Sequence, residues 1–416
     1  MVMRPDGQAV VVGAGVIGVS CALALARAGR KVVLIDQDEP GRGCSFGNAG
    51  HIATEQRTPL ASPETLRNLP SMLLDRTGPL AIRPGVLPQI LLKGWGWRYL
   101  KASRPAAFAR GSAVLSGLVD TALADLHALL AGTSAAIRLI EHGHHLVWQS
   151  GTPADIAQEA EGIRSEGVPV REWSAEGWPL LPDRVRSTLR GGLTFTGTAH
   201  VTDPWQMLLG LQQEFHAHGG LTQRRAVRAL QPSAGGWLVW HDDGALAADA
   251  VVVATGVAAG DLLEPLGYPV PMIAERGYHV ALPGHQAEFD APIVFKERGF
   301  IVTPMENEMR ATTTTEFSPR AAPSDPRRPA LLRRHLIESG LLNSEIETRD
   351  WMGSRPTLPD YLPVIGASRW HDGLHFAFGH QHLGLTLSAT TARLVTAMIT
   401  GQGMPPAELG IERFAG

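Results

Sequence analysis

The sequence predicts an α/β fold in which a parallel sheet with covering helices is interrupted by a second domain built on a mixed or antiparallel β-sheet. Three observations predict it. "AVVVGAGVIGVSCALALARAGRKVVLIDQD", from Ala9, reads as strand, tight turn, helix and strand. Wholly apolar strands return in mid-chain (Ala250–Ala254, in "DAVVVATG") and near the end ("LHFAFG"). Between them, strand signals crowd the stretch from Arg276 to Phe317: "RGYHVAL", "PIVFKE", "GFIVTPM", "MRATTTTEF". The pattern predicts one discontinuous domain from residues 1–85, 186–270 and 341–416, and a second from 86–185 and 271–340.

Each element has a local reason. Ala9–Val12 is an apolar run, as a strand buried on both faces requires. The helix after it spans about Val16 to Ala28, with Gly29 as its stop, and Lys31–Ile35 is the next strand, ended by Asp36. "VLPQILLKGWGWRYL" (Val86–Leu100) is apolar with two tryptophans, and reads either as a packed surface helix or as a contact with the membrane surface. Pro105–Ala131, rich in alanine and leucine, predicts a long helix, Ile137–Gln149 a strand pair and Pro153–Ser165 a helix. Gly191–Pro204 predicts a strand ending in a turn, and Pro204–Ala217 a helix. "GGWLVWHDDGALAADAVVVATG" predicts a hairpin ahead of the second buried strand. Pro329–Glu338 and Leu385–Ile399 read as helices, and "PRAAPSDPRRP" (Pro319–Pro329) as an exposed linker.

Composition sets bounds on function. The chain has 416 residues, 44% of them hydrophobic and 19% charged, ordinary for a globular enzyme. A net charge of −3 gives no basic surface for a nucleic-acid partner. The two cysteines, Cys21 and Cys44, imply no disulfide framework, which fits a reducing, cytoplasmic setting. "MVMRPDGQ" leads straight into the first strand, so no secretory signal is read, and no run of about 18 uncharged apolar residues reads as a membrane span.

Gly13, Gly15 and Gly18 form G-x-G-x-x-G, in register with a strand, a helix and Asp36 at the tip of the second strand. Glycines there let the backbone approach a pyrophosphate at a helix N-terminus, and the acid takes ribose hydroxyls. The arrangement predicts a dinucleotide site and leaves NAD and FAD open. "CSFGNAGHIA" (Cys44–Ala53) and the Ala254-Thr255-Gly256 turn are poor in bulky side chains, and "FGHQHLGLT" (Phe378–Thr386) opens a helix whose N-terminus could face an electron-rich group. "EHGHHL" places His142, His144 and His145 on both faces of one strand, too closely spaced for an ordinary metal site, so no metal is assigned.

Taken together, "GAGVIG" with Asp36, "SFGNAG", "ATG", "GSRPTLPDYLPVIG" and "GHQHLGLT" resemble the FAD-dependent D-amino-acid oxidase and dehydrogenase superfamily, most closely its bacterial D-amino-acid dehydrogenases, over nearly the whole chain. The resemblance implies a Rossmann-like FAD-binding domain and a sheet domain over the substrate face of the flavin. It implies FAD contacts from Gly13, Ala14, Gly15, Val16, Ile17, Gly18, Asp36 and Gln37, and from Ser45, Asn48, Ala49, Gly50, His51 and Ile52. It extends them to Val227, to Ala254, Thr255 and Gly256, and to His382, Leu383, Gly384, Leu385 and Thr386. Arg355 matches the arginine that binds the substrate carboxylate, unless it merely pairs with Asp360. The Tyr278 hydroxyl is a second candidate for that carboxylate, or a buried core tyrosine.

The activity implied is oxidation of the Cα–N bond of a small D-amino acid, D-proline or D-hydroxyproline being the narrower expectation, by hydride transfer from Cα to flavin N5. A quinone is the implied acceptor, with a peripheral contact to the inner membrane. The alternatives are an oxidase for sarcosine, glycine or another N-substituted glycine, a flavin-binding module without turnover, and an NAD-dependent dehydrogenase. The C-terminal motif and the inserted sheet argue against the last.

Overall fold

The computed structural model describes residues 7–74, 80–174, 177–344 and 346–415, with the backbone alone for 70–74 and 314. The start of the N-terminal segment, residues 1–6, lies outside the described residues.

Gln8–Val12 sits inside a six-stranded sheet, flanked in parallel by Lys31–Asp36 and Ala250–Val253. Leu221–Arg224 extends the sheet beyond Lys31–Asp36, and Leu374–Phe378 with the antiparallel Val364–Ala367 completes the other side. The apolarity of the inner strands has its cause here, whereas the edge strand Leu221–Arg224 is polar and partly exposed. Ala9 and Val11, with Leu34 and Val252, enter the core formed with helices Val16–Arg27, Pro105–Leu130 and Ser388–Thr400. Val10 and Val12, with Ile35 and Val253, enter a second core on the opposite face, beneath a three-stranded meander (Val227–Ser233, Gly236–His241, Gly244–Ala248) anchored by Trp237. Alternation along the strand therefore divides the residues between two apolar layers.

Pro105–Leu130 buries Leu115, Leu118, Val119, Ala122 and Leu126. Its polar positions are tied down, Asp120 by Arg57 at 2.6 Å and Asp125 by Arg393 at 2.8 Å. Among the described residues this helix alone has the length and apolarity to cross a membrane. That sequence property had not been expected, and here it serves a core contact.

The second sheet runs Arg349–Thr357, Ile273–Pro283, Glu308–Phe317, Phe300–Pro304, Ile293–Phe295, His144–Trp148, Gly191–Phe195 and Val170–Glu172, with Leu80–Ile82 paired in parallel to Glu308–Phe317. It is mostly antiparallel, but His144–Trp148 pairs in parallel with Ile293–Phe295. His51–Ile52, Ala199–Val201 and Leu139–Ile140 form a small third sheet.

Four local expectations are corrected. Ile137–Gln149 is not a strand pair. Leu139–Ile140 and His144–Trp148 enter different sheets, turned apart at Gly143, whose φ is +77° and whose place would set a Cβ 2.1 Å from the Phe195 carbonyl oxygen. Val86–Leu100 is not one helix, because Gly94 at φ +73° separates Leu87–Leu91 from Trp95–Ala102. The last helix begins at Ser388, after a tight turn at Gln381–Leu383. Pro319–Pro329 is no free linker. The fully buried Arg276 guanidinium donates to the carbonyls of Pro319 (2.9 Å), Arg320 (3.3 Å), Ala322 and Pro323 (3.0 Å), and so pins the segment to the sheet.

Candidate active site

A cavity of about 770 Å³ opens at the carboxyl ends of the parallel strands, where Val12, Ile35, Ala254 and Phe378 line it. It runs on to Trp351, Met352, Ser354 and Pro356 on the edge strand of the second sheet. The carboxyl end of an open α/β sheet is where such folds take ligands.

One end of the cavity is built from backbone. A Cβ on Gly13, at φ +104°, would lie 2.5 Å from the Ala254 carbonyl oxygen, and one on Gly18 would lie 1.8 Å from the Gly13 carbonyl oxygen. Strand, turn and helix can therefore approach this closely only as glycine. The helix Val16–Arg27 begins at Gly15 with no side-chain cap, so backbone N–H groups and the positive helix end face the cavity. Asp36 closes the strand beside it. Its Oδ2 accepts from the Ala14 N–H at 2.6 Å and its Oδ1 from the Asp38 N–H at 3.0 Å. Ser45 Oγ accepts from the Val16 N–H at 3.0 Å and brings the "SFGNAG" loop onto the helix start.

The structure gathers most of the expected cofactor residues around this one space. Gly13, Ala14, Gly15, Val16, Ile17, Asp36, Gln37, Ser45, Asn48, Val227, Ala254, Thr255, Gly256, Gly384 and Leu385 line it. The others stand behind the wall. Gly18 packs helix on strand, and Ile52 and Leu383 belong to the core. Gly50 abuts the Val201 carbonyl, next to Ala49. The Thr386 hydroxyl accepts from the Ala53 N–H at 2.9 Å and ties the loop to the C-terminal motif. Sequence reasoning passed over Arg42, Arg225, Arg228 and Arg320, which also line the cavity. The first three were legible as the cations of "PGRG" and "RRAVR", beside Asp36 and Val227. Cys44 lines it too, but burial pushes its thiol up to about 11, opposed by Arg355 and reinforced by Glu275, so it stays protonated at neutral pH.

Arg355 does not pair with Asp360. Asp360 is held by Arg413 at 2.7 Å. Between Ser354 and Pro356 on the edge strand, Arg355 instead meets Glu275 on the adjacent strand, its Nη1 donating to Glu275 Oε1 at 3.0 Å. The guanidinium lies over Gly277, where a Cβ would come within 2.5 Å of Nη2. Glu275 is 2% exposed and fully engaged: Thr315 reaches Oε1 (3.2 Å), and Thr357 (2.9 Å) and Tyr361 (3.4 Å) reach Oε2. Arg355 keeps 20% of its side chain exposed, and Glu275 is its one hydrogen-bond partner among the described residues. A braced, half-satisfied guanidinium of this kind can still take a carboxylate. Tyr361 (φ +56°) and Gln381 (φ +47°) are the only described non-glycine residues at positive φ, and they flank the site, one bonded to Glu275 and one in the C-terminal turn.

Tyr278 is corrected to the buried alternative. It faces the other side of its strand, its hydroxyl donating to Glu316 Oε1 at 3.2 Å and accepting from the Asp325 N–H at 3.1 Å.

A second polar cluster was not foreseen. His51 Nε2 lies 2.8 Å from Glu55 Oε1, and the His144 ring sits edge-on to His51 at 4.5 Å between centroids. Donor atoms of His51, Glu55 and His144 lie within 4.8 Å of one another, a spacing an ion could bridge, although the His51–Glu55 contact is itself a hydrogen bond. His144 Nδ1 is engaged by the Thr198 hydroxyl at 3.0 Å, while His145 points the opposite way to Thr194. No spacing in the sequence signals this cluster, because His144 arrives from another sheet. His382 feels both clusters. Burial brings it down to about 4, with Glu275 and Glu55 opposing the shift and Arg355 and His51 adding to it.

Comparisons with known proteins agree with this geometry. The model of the DAO family, FAD dependent oxidoreductases, matches residues 8–398. The D-amino-acid oxidase of Bradyrhizobium diazoefficiens is 31% identical over 96% of this chain and 96% of its own. The D-amino acid dehydrogenase of Cereibacter sphaeroides (strain ATCC 17023) is 31% identical over 98% of this chain and 95% of its own. Among solved structures, glycine oxidase from Geobacillus kaustophilus superposes with a TM-score of 0.74 at 20% identity, covering 98% of this chain and 99% of its own. L-proline dehydrogenase from P. horikoshii gives 0.72 at 15% identity, covering 99% and 98%. These two likenesses concern the fold. The glycine cradle, the helix start at Gly15 and Asp36 fit the dinucleotide half of FAD, and the chain belongs to the DAO family of FAD-dependent oxidoreductases.

Proposed function

We propose that the chain oxidises a D-amino acid at its Cα–N bond. The observation that carries this reading is Arg355, a partly exposed guanidinium braced by buried Glu275, on the edge strand whose neighbouring Ser354 and Pro356 line the cofactor cavity. Relatives named as D-amino-acid oxidase and dehydrogenase over nearly the whole chain support it. When bound, FAD accepts the two electrons and the hydrogen leaving Cα. Gly13, Gly15 and the start of the helix would hold its pyrophosphate, Asp36 its ribose, and the turn from His382 to Thr386, of which Gly384 and Leu385 line the cavity, its ring end. Arg355 takes the substrate carboxylate as a fork, which fixes Cα and leaves one face of it toward the ring. The imine formed hydrolyses to a 2-oxo acid, or stays cyclic when the substrate is a proline analogue. The test is product analysis with an artificial dye as acceptor: a D-amino acid should give its 2-oxo acid or cyclic imine, and turnover of sarcosine or glycine alone would move the protein to the N-substituted-glycine reading.

The acceptor proposed is a quinone at a membrane surface. The feature favouring it is an apolar patch on the broken helix: Leu87, Leu91, Leu92, Trp97 and Leu100 are 42–85% exposed, with Lys93 and Lys101 exposed beside them. Co-flotation with anionic vesicles, lost in Leu91→Ser/Leu92→Ser, tests it. Absence of vesicle binding by the parent protein would remove the membrane contact.

A further inference from the structure

We propose that Arg310, on the second sheet, is a positioning residue for the cofactor: it holds the "SFGNAG" loop in the shape that takes FAD. This role is independent of which amino acid the protein oxidises.

Ser45 and Asn48 of that loop line the cavity. A segment with two glycines is expensive to order by itself, so what fixes it has to come from outside. The loop's carbonyls show the source. Arg310 Nη1 donates to the Asn48 carbonyl at 2.8 Å and to the Phe46 carbonyl at 3.4 Å. His279 Nδ1 lies 3.1 Å from the Gly47 carbonyl, which can only accept, so that nitrogen carries the hydrogen. The Val201 N–H donates to the Gly50 carbonyl at 2.7 Å. Three successive carbonyls, 46 to 48, are therefore drawn to the second sheet.

A trans peptide carries its N–H on the side opposite its C=O. The two carbonyls bonded to Arg310 belong to the peptides whose N–H groups are those of Gly47 and Ala49. Neither N–H has a partner among the described residues. Arg310 thus sets the direction of the two donors the loop keeps for a ligand.

The arginine is itself fixed. It is 9% exposed on the strand Glu308–Phe317. Its Nε and Nη2 donate to Glu308 Oε1 at 3.1 and 2.8 Å, and Glu308 Oε2 accepts from Arg349 at 3.3 Å. Two sides of the fork are occupied, and Nη1 is left for the loop. Hydrogen bonds from a charged donor are about twice as strong as neutral ones, and a loop held from outside does not have to be ordered by the cofactor. The floor under the loop belongs to the same sheet. Trp351 lines the cavity and stacks on His279 with ring centroids 5.1 Å apart, and a Cβ on Gly47 would fall 2.0 Å from its Cε3. The sheet that carries Arg355 therefore also shapes the cofactor loop.

The test follows FAD release from the holoenzyme after dilution, as flavin fluorescence, in Arg310→Met, Arg310→Lys and Glu308→Gln. Arg310→Met should release FAD about 10- to 100-fold faster than the parent, because the loop must then be ordered on binding. Arg310→Lys, which keeps the charge and loses the fork, should recover part of the retention. Glu308→Gln, which loosens the fork without removing it, should accelerate release by less. The second readout is thermal: excess free FAD should bring the melting temperature of Arg310→Met back toward the parent's, since the loss lies in cofactor affinity. Release at the parent rate, or a lowered melting temperature that excess FAD does not recover, would make the contact a structural one and overturn the proposal. If Arg310→Met does not fold, Glu308→Gln decides, and parent-like release from that folded variant overturns the proposal as well.

Discussion

Replacing Arg355 by leucine should separate binding from folding. In the parent, the guanidinium gives one hydrogen bond to Glu275, and the proposed role assigns its remaining donors to the substrate carboxylate. Without it, a substrate carboxylate enters desolvated and unpaired, a loss of roughly 2–5 kcal/mol, or about 30- to 5,000-fold in kcat/KM. Stability should fall as well, because Glu275 is 2% exposed and loses its counter-charge. Breaking a buried pair costs roughly 3–5 kcal/mol. The hydroxyls of Thr315, Thr357 and Tyr361 still hold both carboxylate oxygens, so the lower end applies. Arg355→Leu/Glu275→Gln removes the stranded charge. It should recover most of the melting temperature and none of the kcat/KM. Arg355→Lys, which keeps the charge and loses the fork, should recover part of the activity. The assay is anaerobic flavin reduction against substrate concentration, alongside thermal melts, with bound FAD measured in every variant. Normal saturation in folded Arg355→Leu would refute the carboxylate role. Recovery of activity in the double variant would show that the damage came through Glu275.

Three further outcomes follow from the same structure. Gly18→Ala should fail to give folded FAD-bound protein, since its Cβ would sit 1.8 Å from the Gly13 carbonyl oxygen; a yellow, stable variant would show that the fingerprint turn can shift. Arg276→Met should leave four carbonyls of the 319–323 segment without their donor and make that segment the first site of limited proteolysis; an unchanged cleavage pattern would contradict the pinning. Stability should fall as pH drops below about 6.5: His144, His279 and His380 are brought to about 3 by burial, with Arg310 also opposing protonation at His279, so the unfolded chain binds more protons between pH 6.5 and 3. At pH 5.5 each costs about 1.4 kcal/mol relative to neutral pH, and urea melts at pH 7.5 and 5.5 measure the sum.

The sequence showed the inner strands of the parallel sheet plainly because both of their faces are buried, so those strands are apolar and the glycine turn follows at a fixed distance, whereas the polar edge strand Leu221–Arg224 carries no such signal. Asp36 was legible for the same reason, since it ends the second apolar run, whereas Ser45, Asn48 and Val227 were implied only by the resemblance to the family. What escaped the sequence depends on pairing between distant strands. Glu275 braces Arg355 only because the strands Ile273–Pro283 and Arg349–Thr357 align in one register across 80 residues of sequence. The proximity of Asp360 in sequence suggested the wrong partner, whereas the turn at Tyr361 takes Asp360 to Arg413. Tyr278 and Gly277 are adjacent but face opposite sides, and only the position of Arg355 over Gly277 says which side is the site. His144 joins His51 and Glu55 across two sheets, and periodicity carries no information about that. The 319–329 segment looked like a linker by its prolines and charges, and is held by a buried arginine more than 40 residues upstream.

The most direct test of the central claim is to mix the oxidised, FAD-loaded protein anaerobically with paired enantiomers of amino acids, D- and L-proline among them, and to follow the flavin absorbance. If Arg355 fixes the carboxylate as proposed, one face of Cα would be presented for hydride transfer. The D-enantiomers should bleach the flavin and the L-enantiomers should leave it oxidised. Bleaching by L-amino acids or by sarcosine with no response to any D-amino acid would contradict the account.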